Sequence, residues 1–356
     1  MPIKNYVPIL RTKRAEYRAL KNLALQNKEL ITPLFEVRKI SPRKDQQNFS
    51  LHNSIKKIAK DCVTHWSHSG ALLFDTPGFS NDQLTEDQEN AILLLYSELK
   101  AYQQQVIPVI TTERSDALCA KLREFSNSFC FRIQPDDLVN PQDTTQIVKS
   151  LMKTLNTSES KCHLLVDLKV IKGIDHDDVV GEISELTNML EIEKWASLTI
   201  ASCSFPEDMT GIAKDKPVEI SREELTLWET INLSAELIGM TAKFSDYTII
   251  NPSKPEIDFQ VKGIPSKIRY TDDRVWVIHR SDTPEATEEK YDVYQELSAR
   301  VMGHTSFKGS EYSWGDSQID GCFQGKVRRC QLEHWVLIDI NHHLTLVSEQ
   351  ISSYVV

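Results

Sequence analysis

Eight short apolar runs, most of them β-branched, recur along the chain at an average spacing of about 34 residues, the size of one βα unit. They are Tyr6–Leu10, Ile31–Val37, Ala71–Phe74, Val106–Thr111, Phe129–Ile133, Cys162–Leu168, Ser197–Ala201 and Asp246–Ile250. A strand with one wet face alternates apolar and polar residues. A run that is apolar throughout must be covered on both faces, as in a parallel sheet sheathed by helices. Between the runs the apolar residues shift to steps of three or four: Leu51, Ile55, Ile58, Cys62 and Trp66; Ile147, Leu151 and Leu155; Val179, Ile183, Leu186 and Leu190. Each set makes one apolar stripe on a helix. Each connection is long enough for a right-handed crossover. The pattern predicts an α/β chain folded as a TIM-type (β/α)8 barrel over residues 1–255. An open doubly wound sheet is the competing arrangement, but the first run is followed by Arg11-Thr12-Lys13-Arg14 and not by the glycines of a dinucleotide site.

After Pro255 the rhythm changes, and residues 256–356 read as a C-terminal hairpin-helix elaboration of the same domain. Lys267–Tyr270 and Val275–His279 form a hairpin around Thr271-Asp272-Asp273-Arg274. Glu285–Met302 reads as a helix, a candidate for the eighth barrel helix delayed by the hairpin. Gly303–Gln324 reads as a loop and Trp335–Ile338 as a short strand. Asn341 looks like the N-cap of a last helix carrying Leu344, Val347 and Ile351.

Composition narrows the function classes. The 356 residues are 40% hydrophobic and 26% charged, which is globular, and the net charge of −10 is unlike a nucleic-acid coat or a membrane-surface binder. A local basic cleft remains compatible with it. The seven cysteines are scattered without a C-x-x-C pair, so reduced thiols in a cytoplasmic protein are expected, with neither a disulfide framework nor a zinc ribbon. The start of the chain lacks a signal-peptide pattern, and no apolar run approaches the roughly 18 residues of a membrane span.

Several stretches together resemble the beta protein family of bacterial and phage proteins. They are Tyr6-Val7-Pro8-Ile9-Leu10-Arg11 with Lys13, Glu16 and Tyr17; Ile31-Thr32-Pro33-Leu34-Phe35-Glu36; Ser202-Cys203-Ser204-Phe205-Pro206-Glu207-Asp208; Lys267-Ile268-Arg269-Tyr270; Ser313-Trp314-Gly315-Asp316; and Asn341-His342-His343-Leu344-Thr345. They occur in order over nearly the whole chain. Cys203 stands where many relatives look to have serine. The resemblance implies a single full-length module and a setting in phage–host conflict, or phage defence. It implies no particular activity or cofactor.

In a barrel, functional groups gather at the C-terminal ends of the strands. Those positions hold Arg11 and Lys13, Glu36 and Arg38, Asp75, Thr112 and Arg114, Arg132, Asp167 and Lys169, Ser202 and Ser204, and Asn251. Glu36, Asp75 and Asp167 suit a divalent cation; they equally suit ion pairs with Arg11, Arg132 and Lys169. Arg11, Lys13, Arg14, Arg38, Arg114 and Lys169 would make a mouth for phosphate or carboxylate, since guanidinium forks grip both; ordinary surface charge is the plainer reading. No G-x-S-x-G elbow surrounds Ser202 or Ser204, so a serine nucleophile is disfavoured. His342 and His343 are adjacent and diverge by about 100° on a helix, too far to chelate one metal; either is a candidate acid or base at the mouth, and the plainer reading is that one caps and one packs. Trp314 and Asp316 are candidates to cover a ligand. Lys267, Arg269 and Asn341 are candidate contacts to it.

The expectation is therefore an anionic ligand, phosphate-bearing or a nucleic-acid end, at the strand C-terminal mouth. Arg11, Lys13 and Arg38 would hold it, Glu36 or Asp167 would act as acid or base, and Lys169 would stabilise charge. The alternative is a non-catalytic module that senses or inhibits a partner protein in a defence complex. No cofactor and no membrane partner are expected.

Overall fold

The computed structural model describes residues 2–42, 48–214, 216–253, 265–281, 290–327 and 332–354. Seven parallel strands run in sequence order: β1 (Ile9–Arg11), β2 (Leu34–Glu36), β3 (Leu72–Asp75), β4 (Val106–Ile110), β5 (Phe129–Ile133), β6 (Cys162–Val170) and β7 (Ser197–Cys203). A short strand, β8 (Val218–Ser221), leaves this sheet, and β9 (Ala242–Asp246) returns to it beside β7. The Val7 N–H donates to the Phe244 carbonyl and the Phe244 N–H to the Asn5 carbonyl, both at 2.9 Å. These bonds join the last strand to the first, and the expected (β/α)8 barrel closes.

Side chains alternate across this wall as the strand period of two requires. Ile9, Leu34, Leu73, Ile107, Val109, Cys130 and Leu165 form the inner core. Leu10, Phe35, Phe74, Phe131, Leu164 and Phe244 face the outer helices. The helices Leu51–Trp66, Pro141–Leu155 and His176–Met189 carry the anticipated stripes inward, except that Ile147 is 40% exposed and Val148 is buried in its place. Their starts are capped by Ser50, Asn140 and Asp175, each accepting a backbone N–H of the first turn.

The last barrel strand lies four residues earlier than expected. Ala-Lys-Phe-Ser-Asp forms the strand, while Asp246–Ile250 supplies only its final residue. Beyond it the chain turns, with Thr248 in the left-handed region (φ 56°) and the Ile250 N–H donating to the Tyr247 carbonyl. The apolar Ile249 and Ile250 misled because burial in a turn and burial in a strand look alike in a short run.

The hairpin forms from β10 (Lys267–Thr271) and β11 (Val275–Arg280), and β8 adds a third antiparallel strand. Trp276 and Ile278 of this sheet reach the inner core, where Trp276 meets Phe205 edge-on at 5.1 Å. One side of the mouth is thereby covered. The described part of the next helix, Lys290–Met302, packs on the hairpin in a separate core with Ile319, Trp335 and Ile338. It is not the eighth barrel helix.

That place belongs to Leu332–Ser353, one continuous helix. Leu337, Ile340, Leu344, Val347 and Ile351 pack into the main core, while Trp335 and Ile338 enter the smaller one. Trp335–Ile338 is therefore helix, not strand, and Asn341 is mid-helix, not a cap. A helix covered on both sides shows no single stripe. Trp314–Phe323, expected as loop, is a helix capped by Ser313. It crosses the long helix closely, for a Cβ on Gly315 would come within 2.6 Å of the Ile338 carbonyl oxygen. Gly315→Ala is expected to cost about 1–3 kcal/mol by forcing these backbones apart. The urea midpoint checks it; an unshifted midpoint would contradict the close crossing.

Among the described residues, no helix is long and apolar enough to cross a membrane. The six described cysteines are buried free thiols, and Cys330 lies outside the described residues.

Candidate functional site

The register puts Arg11 beside Glu36 and Glu36 beside Asp75 at the ends of β1, β2 and β3. These residues point inward, as do Arg132 and Asp167 two positions beyond the inner-core residues Cys130 and Leu165. A fully buried guanidinium organises the layer. Arg132 donates Nε and Nη2 to Asp167 Oδ2 at 3.0 and 2.6 Å, and Nη2 to the Tyr247 hydroxyl at 2.8 Å. It also pairs with Glu36 Oε1 at 2.9 Å and, through Nη1, with Asp75 Oδ2. The Tyr247 hydroxyl donates to Asp167 Oδ2 at 2.7 Å. Lys169 Nζ lies 2.7 Å from the same carboxylate oxygen and 3.1 Å from Tyr247 Oη.

The charge states follow. Burial pushes the Glu36 and Asp167 carboxyls toward neutrality, but the neighbouring cations outweigh it. Arg132, Arg38 and Lys169 hold Glu36 below the usual range; Arg132 and Lys169 bring Asp167 down to about 2. Tyr247 is pushed well up by burial and by the Asp167 charge, so it stays a donor. The three carboxylates do meet at the mouth as anticipated, but around Arg132. The guanidinium already occupies the centre where a shared cation would lie.

The layer is asymmetric in exposure. The Glu36, Asp75 and Asp167 side chains are 3%, 1% and 0% exposed, whereas Arg38 and Lys169 are 25% and 29% exposed. Arg38 spends Nε and Nη2 on one oxygen of Glu36, at 3.1 and 2.9 Å. Both cations open on a cleft of about 540 Å³ lined by Glu36, Arg38, Lys39, Ser41, Pro77, Gly78, Lys169, Pro252 and Ser253. Gly78 lets one wall form, since a Cβ there would come within 2.1 Å of the Arg38–Lys39 backbone. Lys169 is held in the left-handed region (φ 56°), with its N–H on Asp167 Oδ1 at 3.1 Å. A bulky residue in that region is strained and is kept there by surrounding contacts.

The other candidates do not line the cleft. Arg11 is buried and donates to the Asn251 carbonyl at 3.4 Å; Lys13 is exposed at the start of the Arg14–Lys21 helix. Arg114 pins the loop after β3 through Thr76 O at 2.7 Å and Phe79 O at 3.1 Å. Ser204 donates to Glu224 Oε2 at 2.6 Å and receives the Glu223 N–H, so it serves a helix start. Lys267 and Arg269 line a smaller cavity under the hairpin, where Arg269 pairs with Asp339 at 2.7 Å. Lys39 and Tyr247 went unmarked in the sequence. Tyr247 was hidden by the misplaced eighth strand, and Lys39 lies three residues past a strand end, where spacing carries no signal.

Residues 6–349 match the family described as Beta protein. The chain belongs to this family. Protein beta of Enterobacteria phage P4 is 25% identical over 226 residues, 59% of this chain and 58% of that protein. The chain thus spans less than two thirds of that relative's length. Among solved structures, an N-terminal domain from a Bacteroides vulgatus protein carrying the name aldolase aligns over 98% of this chain and 97% of its own, with a TM-score of 0.36 and 10% identity.

In this Beta protein family member the C-terminal motifs build a buried polar interlock. His343 Nε2 lies 2.9 Å from Asp246 Oδ2, and its Nδ1 lies 3.0 Å from Thr271 Oγ1. Tyr6 donates to Asp246 Oδ1 at 2.8 Å. His342 bridges Asp316 Oδ2 and the Thr271 carbonyl, both at 2.8 Å, and stacks on Tyr270 at 3.9 Å. Asp316 also accepts from Tyr270 and Ser313, at 2.7 and 2.5 Å. Asn341 accepts the Gly315 N–H at 2.8 Å and donates to the Ala19 carbonyl at 3.1 Å. Trp314 packs partly buried against both cores. Asp246 follows the outward-facing Phe244, so this interlock lies between the barrel wall and the outer layer. His342, His343, Trp314, Asp316 and Asn341 are absent from the cleft lining. Buried polar groups need partners, and here each motif residue supplies one to another.

Proposed function

We propose that this Beta protein family member binds an anionic, phosphate-bearing ligand in the cleft at the strand C-terminal mouth. The carrying observation is the direction of the ion network: its carboxylates are buried and its partly exposed ends are Arg38 and Lys169, joined by Lys39 in the cleft wall. An anion entering there would meet cations already held in place, which lowers the ordering cost of binding. Arg38 would grip it through Nη1, which Glu36 does not use, and Lys169 would act as a point charge. Glu36 and Asp167, both held ionised, would position these cations. Any proton transfer would then fall to Lys169 and Tyr247, which touch each other. Family membership beside a phage protein supports a setting in phage–host conflict.

A second reading, a non-catalytic module for a partner protein, draws on Leu233 and Leu237, which are 90% and 57% exposed on neighbouring helices. Calorimetric titration with pyrophosphate separates the two. The cleft reading expects saturable binding, weakened at least about tenfold by Arg38→Ala or Lys169→Ala, since a charged hydrogen bond contributes about 1.5–3 kcal/mol. Melting temperature should fall only modestly and folding should stay cooperative, because Arg132 still pairs with both carboxylates. Binding that ignores both substitutions would refute the cleft and favour the module.

A further inference from the structure

Away from the cleft, the first turn of the Leu51–Trp66 helix and the loop after β3 bring a histidine and two carboxylates to one point. Glu86, in this loop, accepts the Leu51 and His52 N–H groups at 2.7 and 3.1 Å, which ties the loop to the start of the helix. The turn is closed by the Thr85 N–H donating to the Glu89 carbonyl at 2.8 Å, with Gln88 in the left-handed region (φ 61°). Both sides are therefore fixed before any ligand arrives. Across the gap, His52 Nδ1 lies 2.8 Å from Asp87 Oδ2 and 3.1 Å from Glu89 Oε2.

The distances would suit hydrogen bonds, yet this buried nitrogen takes part in none. The two oxygens lie off the axis along which Nδ1 would donate. An ion pair gives no reason for that, because a protonated imidazole gains most by aiming N–H at one carboxylate. A bound cation does. With metal–ligand bonds of about 2.1 Å at the right angles of a six-coordinate shell, each oxygen lies about 3.0 Å from Nδ1 and about 45° off its axis. The three ligand atoms all fall within 4.8 Å of one another.

We propose that His52, Asp87 and Glu89 form a site for a divalent first-row cation such as Zn²⁺ or Mn²⁺. An imidazole in the set favours these over Mg²⁺, and water would complete the shell. The site is distinct from the cleft and clamps the loop after β3 to the start of the Leu51–Trp66 helix. Calorimetric titration of chelator-treated full-length protein with ZnCl2 and MnCl2 tests it, with MgCl2 as comparator. One equivalent of Zn²⁺ or Mn²⁺ should bind, and affinity should fall at least tenfold in His52→Ala and in the Asp87→Asn/Glu89→Gln double variant. His65→Ala, on the same helix, should bind as the parent does. Asp87 and Glu89 are 65% and 53% exposed, so these variants should fold, which circular dichroism verifies. No saturable binding by the parent would overturn the site. So would unchanged affinity in His52→Ala, or an equal loss in His65→Ala.

Discussion

Arg132→Met is expected to remove about 3–5 kcal/mol of folding stability at neutral pH, because it strands Glu36, Asp75 and Asp167 as unpaired buried carboxylates. Arg38 and Lys169 offset this only in part, since each reaches one carboxylate from the solvent side. The loss should depend on pH with a definite sign. In the parent, Glu36 and Asp167 titrate below their unfolded values near 4, so their contribution is present above that range and lost as pH falls through their lowered folded values, about 2 for Asp167. In the variant the same carboxyls lose their main counter-charge and their folded-state pKa values rise. They then take up protons in the folded state at higher pH, which relieves the strain. The difference between parent and variant should therefore shrink between pH 7 and pH 4. Urea midpoints at the two pH values measure it. A variant within about 0.5 kcal/mol of the parent at pH 7, as for an ordinary surface substitution, would mean the guanidinium does not organise the barrel mouth.

Deleting the chain from Leu332 onward should abolish cooperative folding. Leu337, Ile340, Leu344, Leu346, Val347 and Ile351 are each at most 2% exposed and belong to the barrel core. At about 1.5–3 kcal/mol per buried side chain, their loss is on the order of 10 kcal/mol, comparable with the whole net stability of a domain. The deletion also leaves Asp246 and Thr271 without His343, and Ala19 O without Asn341. The expected product is aggregated or lacks a sharp thermal transition. A soluble fragment melting cooperatively within a few degrees of the parent would show that this helix is an appendage and not the eighth barrel helix.

The barrel was legible because seven of its strands are continuous apolar runs and its early helices keep one stripe each, so period and spacing agree. Legibility failed where burial is not one-sided. Leu332–Ser353 touches the barrel on one face and the hairpin core on the other, and its Trp335–Ile338 stretch is too short to be told from a strand. Its histidines looked like candidate chemistry because polar residues at an assumed helix start suggest exposure. In the fold they are mid-helix, and their partners, Thr271, Asp316 and Asp246, are brought to them by the tertiary arrangement. At the mouth, Arg38, Glu36, Asp75, Arg132, Asp167 and Lys169 could be named from strand ends alone. Which of them would be buried, and that one arginine would hold all three acids, depends on distances around the barrel that no linear spacing encodes.

Anomalous diffraction from crystals soaked in tungstate, a phosphate-shaped anion visible above the protein, tests the central claim most directly. The account predicts a peak in the cleft within hydrogen-bond reach of Arg38 and Lys169 that disappears in Lys169→Ala. Tungstate bound only elsewhere, for example in the groove where Arg14, Arg18, Lys21 and Lys57 line the outer helices, would contradict it.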